Sequence, residues 1–189
     1  MRHICVFAGS SLGRDPLHQE TARALGQELV KRGLGLVYGG ASGGLMGILA
    51  ETVLAQGGEA IGVLPRELFQ REVPHHRMTT LYEVGSLHER VRLMADLADG
   101  CIALPGGFGT LNELFEMTTW AQLGLHTKPI GLLNVAAYFD PLLAVVTHAT
   151  QEGFIHPFHA QILLCKDTPN ELLESFATWA TTRRALKVD

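Results

Sequence analysis

Short apolar runs, most of them closed by glycine or proline, alternate with longer amphipathic stretches along the whole chain. No other feature of the sequence limits the fold as much. Runs of four to six apolar residues suit strands buried on both faces, and the stretches between them have the length of helices. Repeated βα units of this kind build a parallel sheet with helices on both faces. The pattern predicts strands at residues 4–8, 35–38, 60–64, 101–104, 130–133 and 161–164, and helices at 17–32, 44–56, 87–98, 111–123, 139–152 and 169–181. The segment 66–84, with Pro74 and paired histidines, interrupts the rhythm as a loop or one more strand. The expected fold class is α/β, a Rossmann-like doubly wound sheet. One domain is expected, because 189 residues with 47% hydrophobic content suffice for a single core.

A net charge of −4 and a pI near 6.1 give no general attraction for polyanions, so nucleic acid is not an expected partner. No apolar run approaches the roughly 18 residues of a membrane span, and the opening residues do not read as a signal peptide. Cys5 and Cys101 sit inside apolar runs and read as buried thiols, which with these features points to a cytoplasmic location. Among nine histidines there is no His-Glu-x-x-His, and neither His75-His76 nor His156-x-x-His159 has an assured third ligand, so no metal site is expected.

In a parallel sheet the loops after the strands lie side by side at one edge, where ligands bind. The unusual residues fall in those loops. Gly9, Ser10 and Ser11 follow the first strand; Gly39, Gly40, Ala41, Ser42, Gly43 and Gly44 follow the second. Pro65, Arg66 and Glu67 follow the third, and Pro105, Gly106, Gly107, Phe108, Gly109 and Thr110 follow the strand at Cys101. Glycine loops entering helices let an anion reach unpaired backbone N–H groups, so a phosphate ester, and with it a nucleotide, is the expected ligand. There is no Gly-x-x-x-x-Gly-Lys-Ser/Thr loop for triphosphates. Asn112 stands where a dinucleotide fingerprint would need its third glycine.

Two charged residues lie beside these loops. On the helix predicted at 87–98, residues Leu87, Val91, Met94 and Ala98 form one stripe facing the sheet; Arg90 lies about 60° from it and Arg92 about 140° away, toward solvent. Glu113 is expected in the first turn of the following helix. Thr110-x-x-Glu113 also has the spacing of a capping box, as does Ser86-x-x-Glu89, so the residues alone leave Glu113 open between a catalytic and a capping role. Phe115 and Trp120 read as helix-face packing.

Ser86-Leu87-His88-Glu89-Arg90 and Leu104-Pro105-Gly106-Gly107-Phe108-Gly109-Thr110-Leu111-Asn112-Glu113 resemble the signature of the LOG ("lonely guy") family, whose pattern Pro-Gly-Gly-x-Gly-Thr-x-x-Glu is matched throughout. The similarity covers nearly the whole chain, including residues 37–40, 44–47, 119–124, 128–134 and 152–155. The resemblance implies hydrolysis of cytokinin riboside 5′-monophosphates or AMP to free base and ribose 5-phosphate, with no metal or organic cofactor. It implies Arg90 and Glu113 as the catalytic pair, contacts to the nucleotide from Glu67, Gly106, Gly107, Phe108, Gly109, Thr110, Leu111, Asn112 and Thr118, and a homodimer. Val91 departs from the family, which carries lysine there. Such proteins are often labelled lysine decarboxylases, but no lysine here stands in a cofactor-anchoring context.

For this chemistry a carboxylate near C1′ stabilises positive charge on the ribose and orients or deprotonates water, a role for Glu113. Arg90 either holds the phosphate or stabilises the departing base. Glu116, one turn further along, is positioned to raise the cost of a second negative charge. The alternative function is a non-catalytic nucleotide or cofactor carrier, for which the glycine loops would suffice.

Overall fold

A computed structural model describes residues 1–68 and 73–186, with side chains described through Trp179. Seven strands form one sheet: β1 (His3–Phe7), β2 (Gly35–Tyr38), β3 (Ala60–Pro65), β4 (Thr80–Val84), β5 (Gly100–Ala103), β6 (Ile130–Leu133) and β7 (Leu163–Lys166). All described pairings are parallel, in the order β4-β3-β2-β1-β5-β6-β7. The helices are α1 (Pro16–Lys31), α2 (Gly44–Ala55), α3 (Leu87–Leu97), α4 (Phe108–Gln122), α5 (Asp140–Gln151), the short α6 (Pro157–Ala160) and α7 (Pro169–Leu186). The interrupted segment contributes a strand, β4, and a 3-10 turn at Arg66–Leu68. β7 lies two residues beyond its predicted place.

Successive strand residues face opposite sides of the sheet, and the core divides accordingly. Ile4, Val6, Leu36, Tyr38 and Ile102 pack beneath α1, α2 and α7 with Leu25, Leu49 and Phe176. Cys5, Phe7, Val37, Val63, Cys101 and Ala103 pack beneath α3 and α4 with Met94, Leu114 and Met117. Both faces of the central strands are buried, which is why these strands read as continuous apolar runs.

The α3 stripe needs one correction. Val91, Met94, Ala95 and Ala98 are buried, but Leu87 is 55% exposed. Leu87 is the first residue of α3, just after the cap at Ser86, and the helix meets the core only from its second turn. Arg92 is exposed and bonds Asp96 on its own helix, as expected of a solvent-facing position.

Candidate active site

Strand order reverses at β1, which has β2 on one side and β5 on the other, so a crevice opens beyond the carboxyl ends of β1 and β5. The Gly9 N–H donates to Pro105 O at 3.0 Å, tying the two loops together. Gly9, Ser10 and Gly107 form a saddle between two adjoining cavities. One, of about 160 Å³, lies toward α3 and α4 and contains Arg90 and Glu113. The other, of about 400 Å³, lies toward α1 and is lined by Pro105, Gly106, Arg14, His18 and Tyr138 as well as the saddle.

The two charged residues meet across the first cavity. The Arg90 and Glu113 side chains are 7% and 13% exposed, with Arg90 Nε 4.0 Å from Glu113 Oε1. Arg90 Nη2 donates to Gly39 O at 2.9 Å. The Ser86 hydroxyl accepts the Glu89 N–H and the Glu89 carboxylate accepts the Gly85 N–H, so α3 starts at a defined point and Arg90 falls in its first turn. A buried ion pair is costly to desolvate unless further polar partners complete it, which the Gly39 carbonyl helps to do. Below the pair, burial pushes the Cys5 thiol well above the ordinary range; Cys101 and Glu113 add to that, and Arg90 opposes it.

Of the two roles left open for Glu113, the capping box with Thr110 does not form. Helix α4 begins at Phe108, with Gly107 as its N-cap residue, so Thr110 lies inside the first turn and Glu113 in the second. Gly107 offers no side-chain cap, leaving the first N–H groups of α4 available to an anion in the crevice. The second glycine loop is used differently. Leu45 N and Met46 N, at the start of α2, both donate to Gly9 O, at 3.0 and 3.4 Å, so protein rather than ligand takes up this helix start. Gly44, at φ 62°, holds the left-handed turn that brings α2 against Ser10, where a Cβ would stand 2.2 Å from the backbone.

Of the residues expected at the site, Gly9, Ser10, Arg90, Gly107, Phe108, Gly109, Thr110 and Glu113 line the first cavity, and Pro105 and Gly106 the second. Gly39 acts from behind as the acceptor for Arg90, with Gly40 beside it, and Gly43 is the N-cap of α2. Glu67 lies exposed in the 3-10 turn after β3 and lines neither cavity. Leu111, Asn112 and Thr118 also lie outside both linings; the Thr118 hydroxyl is turned onto Leu114 O at 2.7 Å. Glu116 sits one turn beyond Glu113, 4.0 Å from His88 Nδ1 and clear of the cavity. Trp120 packs beside the core as expected, whereas Phe115 is exposed.

Ser11, read in the first glycine loop, lines the second cavity, whereas sequence reasoning gave no site role to Ala8, Met46, Gly13, Arg14, His18, Leu45 and Tyr138, all of which line the cavities. His18 carried a faint signal, as a polar residue on the buried face of an amphipathic helix. The others carried none.

Residues 46–176 match a protein-family model described as "possible lysine decarboxylase". Among curated proteins, the chain is 48% identical over 172 residues to the rice protein "cytokinin riboside 5′-monophosphate phosphoribohydrolase LOG", covering 91% of this chain and 71% of that one. It is 47% identical over 172 residues to Arabidopsis thaliana LOG7, which has the same description (91% and 79% covered). It is 46% identical over 179 residues to rice LOGL2, described as a probable enzyme of that kind (95% and 73% covered). Among solved structures, the molybdenum cofactor binding protein of Rippkaea orientalis has a TM-score of 0.69 at 23% identity, covering 94% of this chain and 96% of that one. The molybdenum cofactor carrier protein of Chlamydomonas reinhardtii has a TM-score of 0.70 at 19% identity (96% and 98% covered). At such identities these two structures show the fold alone.

Proposed function

The chain belongs to the LOG family of cytokinin riboside 5′-monophosphate phosphoribohydrolases, and from that premise we propose that it cleaves the N-glycosidic bond of adenosine 5′-monophosphates, plain or N6-substituted. The products are the free base and ribose 5-phosphate. One observation carries the reading: the buried Arg90–Glu113 pair stands in one cavity with the open start of α4.

Glu113 supplies a carboxylate where positive charge develops as the C1′–N9 bond lengthens, and it orients the attacking water and takes its proton. The bonding pair leaves with N9, the base gains a proton, and water oxygen becomes the new C1′ hydroxyl. Arg90, whose Nε stands 4.0 Å from Glu113 Oε1, holds that carboxylate in place. The first turn of α4 receives oxygen atoms of the ribose phosphate. A lysine-dependent decarboxylation has no support in the cavities, since Lys31, Lys128 and Lys166 line neither of them and Lys128 donates to Ala95 O. Lys187 lies outside the described residues.

The test is chromatographic detection of base released from AMP and from N6-isopentenyl-AMP. We expect Glu113→Gln to lower kcat by a factor on the order of 10³, with nucleotide binding retained. Undiminished turnover in the variant would remove Glu113 from the chemistry, and nucleotide binding without turnover in the wild-type protein would favour a carrier. Exposed apolar side chains on α4, Phe108 and Phe115, support a homodimer, and the buried thiols Cys5 and Cys101 support a reducing, cytoplasmic setting.

A further inference from the structure

We propose that His75 is a positioning residue for the reaction, fixing through the strap of residues 73–79 the Gly39–Gly40 loop on which the Arg90 guanidinium rests. The inference rests on the hydrolase reading and adds to it a residue that lines neither cavity.

Gly39 and Gly40 have no side chains to fix their backbone, and glycine loses more conformational freedom on ordering than any other residue, so the loop must be held from outside. The strap does this. The Ser42 N–H and hydroxyl both donate to Val73 O, at 2.9 and 3.0 Å, and Ala41 forms an antiparallel bridge with Pro74. The His75 N–H donates to Gly40 O at 2.9 Å. The preceding carbonyl, Gly39 O, is the one that accepts Arg90 Nη2. Consecutive carbonyls thus hold the strap and the guanidinium, and a shift of Gly40 displaces both. Gly40 and Met78 of the strap also pack together on β3: a Cβ on Gly62 would stand 2.9 Å from Gly40 Cα and 2.6 Å from Met78 Sδ.

The His75 side chain anchors the strap. It is 5% exposed, and its Nδ1 accepts the Arg77 N–H at 3.3 Å, which puts the ring proton on Nε2. Nε2 in turn faces Glu51 Oε2, on α2, at 3.3 Å. The Arg77 guanidinium bonds the same carboxylate. Arg77 first, and His75 after it, hold the Glu51 carboxyl below its ordinary range, so it serves both as an anionic acceptor. The start of α2 is itself bonded to Gly9 O. The anchor therefore ties the second glycine loop, and Arg90 with it, to the first glycine loop across the crevice.

The test combines base release from AMP with the NMR signal of the Arg90 Nε–H in protein labelled at arginine nitrogen, assigned by its loss in Arg90→Met. His75→Ala is expected to lower kcat/KM about tenfold, most of it in kcat, and to shift the Arg90 signal while that of Arg92 stays in place. His75→Gln keeps a donor where Nε2 stands and should recover kcat/KM to within about threefold. In the Arg90→Met background, assayed at high enzyme concentration, His75→Ala should lower kcat/KM by less than about twofold, because the group it positions is gone. A role in stability alone would give the same loss with or without Arg90. Glu51 is half-exposed on α2, so Glu51→Ala, expected to move both readouts in the same direction, decides the matter where His75→Ala folds poorly. Wild-type kinetics or an unmoved Arg90 signal in the folded variant, or the full loss in the Arg90→Met background, overturns the assignment. If the wild-type protein releases no base from AMP while the Arg90 signal still moves, the positioning of Arg90 stands and the hydrolase reading falls.

Discussion

A methyl group on Gly39 would stand 1.9 Å from Arg90 Nη2 and 3.0 Å from Met46 Sδ, so the Arg90 guanidinium occupies the place of a missing side chain. Gly39→Ala must push Arg90 off the Gly39 carbonyl and away from Glu113. Displacements near 1 Å in an active site cost on the order of 10²-fold in rate. We expect Gly39→Ala to lower kcat/KM by about that factor, measured by base release from AMP, and wild-type kinetics in this variant would show that the placement of Arg90 does not matter. In the sequence Gly39 is one glycine of a loop that looks built for phosphate. Its actual use depends on a residue 51 positions later, and no local pattern carries that information.

Elements position these residues through their ends. Asp99, between α3 and β5, accepts hydrogen bonds from the backbone N–H groups of Arg2 and His3 and so joins β5 to the start of β1 at the edge opposite the site. Those bonds, that from Arg2 first, hold the Asp99 carboxyl below its ordinary range despite partial burial. A depressed folded value means that the contribution is fully present above the unfolded pKa of about 3.9, and is lost as pH falls through the folded one. In denaturant titrations, Asp99→Asn should therefore be less stable than wild type near neutral pH and should converge with it in acid; parallel curves down to pH ~2 would refute the linkage. Element types and most strand positions were legible from periodicity. The start of α4 was not, because Thr110-x-x-Glu113 has the spacing of a capping box and only the backbone shows that Gly107 holds the cap position.

Among the exposed apolar side chains of the described residues, four lie on α4 or just beyond it. Phe108 is 93% exposed, Phe115 lies seven residues on and so on nearly the same helix face, and Leu123 and Leu125 follow. Phe108 also lines the cavity that holds Arg90 and Glu113, so a partner seated on this face would cover its mouth. Light scattering at micromolar concentration should give a dimer for the wild-type protein and a monomer for Phe115→Glu with Leu123→Glu, since charges are poorly tolerated in an interface core. A wild-type monomer would exclude this arrangement.

The sequence by itself determined the layered α/β fold, the edge of the sheet where the glycine loops gather, and the Arg90–Glu113 pair through its family motif. Those features are periodic or contiguous along the chain, and local sterics and hydrophobic burial specify them directly. The tertiary structure alone decided which glycine loop keeps its helix N–H groups open, that Gly39 makes room for Arg90, and that Arg14, His18 and Tyr138 gather around a second cavity. Each of these depends on the distance between side chains far apart in the chain. Such distances are set by how the helices pack across the sheet, and no segment of the sequence contains them.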